Sequence, residues 1–150
     1  MTFIHAITHS AIGPAVYGFS CAVAFATPLG LNPGSYDIAA ETLLPHLEEN
    51  MRYATTRQRH CLDTQDATTL FPILRHEALA GCTLGNGQTT GQHHEYTIAC
   101  SNPATATGTA RLTVNPVAIR GVVEIKLGGK NMTLSQRING TRTGVCEEAK

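Results

Sequence analysis

An all-β fold is what the sequence predicts: an antiparallel meander curled toward a small partial barrel, with one short helix and a separate apolar segment in front. Three observations carry that expectation. Between residues 106 and 138, apolar and polar residues alternate with a period of two, and short turn motifs interrupt them. The chain from Met1 to Tyr36 contains no Asp, Glu, Lys or Arg, so it divides into two compositional regions at "TPLGLNPGSYD". The second region holds four cysteines, an even number of the kind that small exported domains pair.

At 150 residues, one domain is the default. Eleven basic residues balance eleven acidic ones, which argues against a nucleic-acid partner. There is no Trp, so the core must rest on Val, Ile, Leu, Ala and Met.

Residues 1–26 read as a signal peptide. "AIGPAVYGFSCAVAFA" is apolar and ends in Ala24-Phe25-Ala26, the small-x-small pattern of a cleavage site. His5 and His9 stand where Lys or Arg is usual. The alternative is a retained membrane anchor, since the apolar stretch is just long enough to span if Thr27–Leu31 is added. Cys21 reads as a small apolar residue of that segment. Residues 27–150 then form the disulfide-bonded β domain, on the periplasmic side of the membrane in either case.

The domain opens with "GSYDIAAETLL", where Tyr36, Ile38 and Ala40 alternate with Asp37 and Ala39 as in a half-buried strand. "PHLEENMRYATTRQRH" reads as a hairpin loop and a second, exposed strand. In "CLDTQDATTLFPIL", Asp63 or Thr64 can cap a short helix near residues 64–70, with Asp66 in its first turn, and Pro72 ends it. "CTLGNGQTTGQHHEYTIAC" reads as two arms around a Gly-rich hairpin loop, with Tyr96, Ile98 and Cys100 on one face of the second arm. "ATGTARLTV" turns Ala110, Leu112 and Val114 inward. "IRGVVEIKL" does the same with Ile119, Gly121, Val123, Ile125 and Leu127, and "MTLSQRI" with Met132, Leu134 and Ile138. "GTRTGVC" reads as a final short strand, with Gly140 and Gly144 easing a bulge or bend.

The cysteines follow from this register. A turn near Gly91 sets Cys82 opposite Cys100, close enough for a disulfide. Of the three pairings that four cysteines allow, this leaves Cys61 for Cys146. That bond would tie the chain end to the start of the middle segment, contributing on the order of 4–5 kcal/mol in the chain-entropy account.

In order, "NPGSYDI", "HCLDTQDAT", "AGCTLGNG", "YTIACS", "ATGTARLTV" and "NGTRTGVC" cover most of residues 33–146. This ordered set resembles a family of bacterial envelope proteins known only as domain of unknown function 3617. The departure is at Ser35-Tyr36, where members often carry "GLW". The resemblance implies export and a β-rich fold, and it implies no activity.

No catalytic, metal-binding or cofactor constellation stands out, so the sequence predicts a protein that is not an enzyme and carries no cofactor. His93 and His94 are successive strand residues, which point to opposite faces and cannot both ligate one ion. They read as exposed strand-end residues, and nothing in the spacing selects His60 or His76 to complete a site. No G-x-S-x-G elbow occurs, and "LGNGQTTG" lacks the Lys and the following helix of a phosphate cradle. Arg142, between two glycines, is a possible binding residue. As a structural one, it pairs with a carboxylate or caps carbonyls near the chain end. Two roles remain. One is an exported envelope module that binds a lipid or small apolar ligand over the dry face of its sheet, which needs a cover. The other is an accessory subunit docked on a membrane or envelope protein complex and retained by the N-terminal segment.

Overall fold

A computed structural model describes residues 29–62, 67–128 and 132–146. The segment read as signal or anchor, and the capping residues Asp63, Thr64 and Asp66, lie outside the described residues.

Seven antiparallel strands form one sheet: β1 (Gly34–Leu43), β2 (Tyr53–Leu62), β3 (Cys82–Thr90), β4 (His93–Cys100), β5 (Ala106–Asn115), β6 (Ala118–Leu127) and β7 (Thr133–Gly144). Their spatial order is β2-β1-β7-β6-β5-β4-β3. Strands β3 to β7 form a meander whose register places Ala110, Leu112, Val114, Ile119, Val123, Ile125, Leu134 and Ile138 on one buried face. Strand β1 then pairs with the far side of β7, which makes the first and last strands neighbours. The sheet stays open, with β2 and β3 as its edges.

The segment between β2 and β3 crosses the buried face as a strap. Among its described residues, the helical parts are three short 3-10 turns, Ala67–Leu70, Pro72–Arg75 and Glu77–Leu79. The expected short helix is thus a 3-10 turn in the described residues, as suits a stretch broken by Pro72. Leu70, Phe71, Leu74 and Leu79 of the strap are buried against the sheet. Gly121 makes room for Phe71, because a Cβ there would stand 2.9 Å from the Phe71 ring. Leu29 and Leu31, just before β1, complete the same core.

The strap also touches both edges of the sheet. Thr68 Oγ1 accepts a hydrogen bond from the backbone N–H of Leu84 on β3, and the Arg75 guanidinium reaches His60 on β2.

Both disulfides fasten this arrangement. Cys82 pairs directly with Cys100 in the β3–β4 register, with Cα atoms 3.9 Å apart. Cys61 joins Cys146 over a Cα–Cα distance of 5.3 Å. Because β1 lies between β2 and β7, this second bond spans the start of β1 at Ser35. Cys61 also stands just before the strap and Cys82 just after it, so a covalent bond pins each end of the cover.

Two readings of local structure are corrected. "LGNGQTT" is strand rather than loop. The hairpin turn shrinks to Gly91-Gln92, and a bulge sets Asn86 and Gly87 opposite Tyr96. Asn86 takes the positive φ of 49° at this bulge, and a Cβ on Gly87 would stand 2.6 Å from the Tyr96 ring. "GTRTGVC" is not a separate strand, because it continues β7 through Gly144, but the expected bulge is there: Ser35 and Tyr36 face Gly144 and Arg142, which leaves Thr143 as the extra residue. Gly140 contributes space rather than a bend, facing Ile38 and Ile119 in the core.

Candidate functional site

The side chains with chemical potential divide between the two faces. On the inner face, the polar groups serve the fold. Gln136 is buried between Leu134 and Ile138. Its Oε1 accepts from the Ile73 N–H of the strap at 3.1 Å, and its Nε2 donates to Thr42 Oγ1 at 2.8 Å. Tyr36 is buried, and its hydroxyl donates to the Asn32 and Pro116 carbonyls, linking the residues before β1 to the β5–β6 turn. Burial raises its pKa above the usual phenol value. His94 is buried as well, with Nδ1 at 3.0 Å from Thr89 Oγ1 and its ring stacked with Tyr96. Desolvation, and then His93 beside it, lower its pKa below 6.5. This corrects the reading of both histidines as exposed. They do point to opposite faces, but only His93 is exposed. The signal was in the sequence, since His94 shares the period-two face of Tyr96, Ile98 and Cys100.

Arg142 is a structural clamp. Its Nε and Nη2 donate to the Pro33 carbonyl at 3.1 and 2.9 Å. It therefore caps a carbonyl beside β1, the second of its two expected structural roles. Gly34 is required there, because a Cβ would collide with the Gly144 carbonyl and the Arg142 guanidinium. Among the described residues, no three His, Cys, Asp or Glu side chains cluster as metal ligands would.

The outer face of strands β4 to β7 carries an open groove of about 530 Å³. Register dictates its lining. On β6, Arg120 lies between Asn139 of β7 and Thr113 of β5, and Val122 lies between Arg137 of β7 and Arg111 of β5. His93 and Glu95 of β4 continue the two rows beyond Thr113 and Arg111. Three guanidinium-bearing residues thus surround one valine. Directly opposed side chains start about 5 Å apart and diagonal ones about 7–8 Å apart.

The three arginines differ in what neutralises them. Arg111 Nη2 meets Glu124 Oε2 at 2.8 Å. Arg137 Nη1 stands 3.9 Å from Glu41 Oε2, a looser contact. The Arg120 side chain has no ion pair or hydrogen-bond partner among the described residues. None of the three stands out in the sequence, although "TARLT", "AIRGV" and "SQRIN" place each at an outward position of a clear alternation.

The fold and its two faces define a small β domain whose inner face is sealed by its own disulfide-pinned strap and whose outer face is polar. Residues 31–146 match the family described as Protein of unknown function (DUF3617), and the chain belongs to that family. No curated protein and no solved structure matches it.

Proposed function

We propose that this is an exported, non-catalytic envelope protein that acts by binding through the outer face of its sheet. The observation that carries this reading is the strap. Phe71, Leu70 and Leu79 already cover the face that the sequence left open for an apolar ligand. Binding is therefore assigned to the surface left over, where the groove across β4 to β7 has the volume of a small-molecule site. Export is supported by the two disulfides and by the envelope family that the sequence resembles. Among the described residues, no helix is long and apolar enough to cross a membrane. The non-catalytic reading is supported by the engagement of Gln136, His94 and Arg142 in hydrogen bonds that hold the fold.

Native mass spectrometry of the full chain, recovered from envelope extracts of its own host, tests the reading. A small molecule should co-purify, leave unchanged on denaturation, and be lost when Val122→Tyr fills the groove. Recovery of a chemically altered ligand would replace binding by catalysis. A bare protein, wild type and variant alike, would overturn the binding role. Alkylation of intact cells tests export separately. All four domain cysteines should resist modification until reduced, and free thiols would place the protein in a reducing compartment.

A second reading, the accessory subunit docked on an envelope complex, draws on Leu47, Met51 and Tyr53. These stand exposed at the β1–β2 hairpin, Tyr53 at 70% of its surface. A photo-crosslinking residue at position 53 should then capture one reproducible envelope protein that the same residue at position 57 does not. Equal capture from both positions would remove this reading.

A further inference from the structure

We infer that the outer groove is a site for a single oxyanion group, a phosphate or carboxylate carried by a small ligand, with Arg120 as its principal contact. This rests on the outer face being the binding face and adds the chemistry it recognises.

The charge pattern selects the ligand. Arg111 is flanked by Glu95 across the β4–β5 pair and bonded to Glu124, and Arg137 faces Glu41 across the β1–β7 pair. Among the described residues, Arg120 has no such carboxylate. Its cross-strand neighbours are the amide of Asn139 and the hydroxyl of Thr113, both able to donate to an oxyanion. The Thr113 hydroxyl also lies 3.1 Å from His93 Nδ1, and it keeps its proton for the oxyanion when that nitrogen is the donor. A guanidinium presents two parallel N–H groups to a phosphate or carboxylate, a geometry an ammonium lacks. Like charges brought together on one sheet face repel, so an anion seated beside Val122 relieves that repulsion. Arg137, held among the described residues by a long contact to Glu41, can turn from it toward the ligand.

The same carboxylates limit the charge the groove accepts. In the row of Val122, Glu95 closes the β4 end and Glu41 stands beyond Arg137 on β1, with Glu124 one outward row further along β6, so an extended chain of phosphates crossing there meets carboxylates at both ends. One oxyanion fits, with the rest of the ligand resting on the apolar surface of Val122. Phosphate in this setting has two sources, a soluble small molecule or a phospholipid headgroup.

Titration of inorganic phosphate into the isotope-labelled, disulfide-intact protein at low salt, followed by NMR, tests the inference. Resonances of Arg120, Thr113, Asn139 and Val122 should shift together and saturate. Arg120→Gln should weaken binding about tenfold or more, the loss expected for a charge-assisted contact. Arg59→Gln, which removes a β2 charge outside the groove, should leave binding unchanged. Shifts spread evenly over all the basic residues, or an Arg120→Gln protein that titrates like wild type, would overturn the oxyanion site. Co-sedimentation with phosphatidylglycerol vesicles then separates the sources. Arg120-dependent sedimentation identifies a headgroup, and phosphate binding without it identifies a soluble ligand. Failure of phosphate to bind, while native mass spectrometry still finds a groove ligand lost in Val122→Tyr, would sink the oxyanion and leave the binding face standing.

Discussion

On the inner face, Tyr36, Phe71, Ile119, Val123 and Ile138 are almost wholly removed from water. On the outer face, the residues beside them in sequence, Asp37, Arg120, Glu124 and Arg137, meet solvent, and all but Arg120 also meet an oppositely charged side chain. The two faces belong to the same strands and differ by a single residue of phase. The inner face is completed by the chain itself, through a strap fixed at both ends by covalent bonds. The outer face is completed by water, by exposed ion pairs and, around Arg120, by nothing else among the described residues. A substitution should therefore cost stability on the inner face and little on the outer face, where its effect should fall on binding.

The largest expected effect is loss of the strap's anchors. The Cys61–Cys146 bond closes an interval of 85 residues and the Cys82–Cys100 bond one of 18. In the chain-entropy account these contribute about 4.6 and about 3.2 kcal/mol separately, and less together because the loops are nested. Urea unfolding of the two double-alanine variants should rank them in that order. The reverse ranking would show that β3–β4 pairing, and not closure at β1, is the weak point of the fold.

Next is the cover itself. Phe71→Ala should cost about 3–5 kcal/mol by chemical denaturation, since it empties the space above Gly121. A cost below about 1 kcal/mol would mean that the strap does not seal the face. Gln136→Leu keeps the volume but orphans the Ile73 N–H and the Thr42 hydroxyl, so about 1–3 kcal/mol should be lost. Hydrogen exchange at Ile73 should accelerate in that variant more than exchange in β5 or β6.

Titration sharpens the comparison. His94 is lowered below 6.5 by burial and then by His93, and His60 by burial and then by Arg75. The unfolded chain binds these protons first as pH falls. The stability tied to the neutral rings is complete above about 6.5 and declines below it, down to the lowered folded values. Denaturation midpoints should drop between neutral and mildly acidic pH, and His94→Gln should flatten that drop. A midpoint that rises on acidification would contradict the burial of His94.

The smallest effect belongs to the outer face. Arg111 and Glu124 are each more than half exposed. A double-mutant cycle between them should give about 0.2–1 kcal/mol, shrinking with added salt. A coupling above about 2 kcal/mol would make the outer ion pairs part of the scaffold rather than its solvated surface.

Much of this molecule was legible in the sequence because a half-buried strand writes its phase locally. Ala110, Leu112 and Val114, then Ile119 to Ile125, declare their face within a few residues, and the turn beside Gly91, with the one-residue bulge at Asn86-Gly87, brings Cys82 level with Cys100. With that pair assigned, the second disulfide followed. Only the tertiary structure decided what depends on distant partners. Nothing local says that β1 lies beside β7, that Leu29 and Leu31 belong to the core, or that the strap lays Phe71 on Gly121. Nothing near Gln136 in the sequence announces its role, because its two partners stand 63 and 94 residues away. The groove has the same origin. Arg111, Arg120 and Arg137 are unremarkable outward residues on three strands, and only the pairing of those strands, set by long-range register, gathers them around Val122.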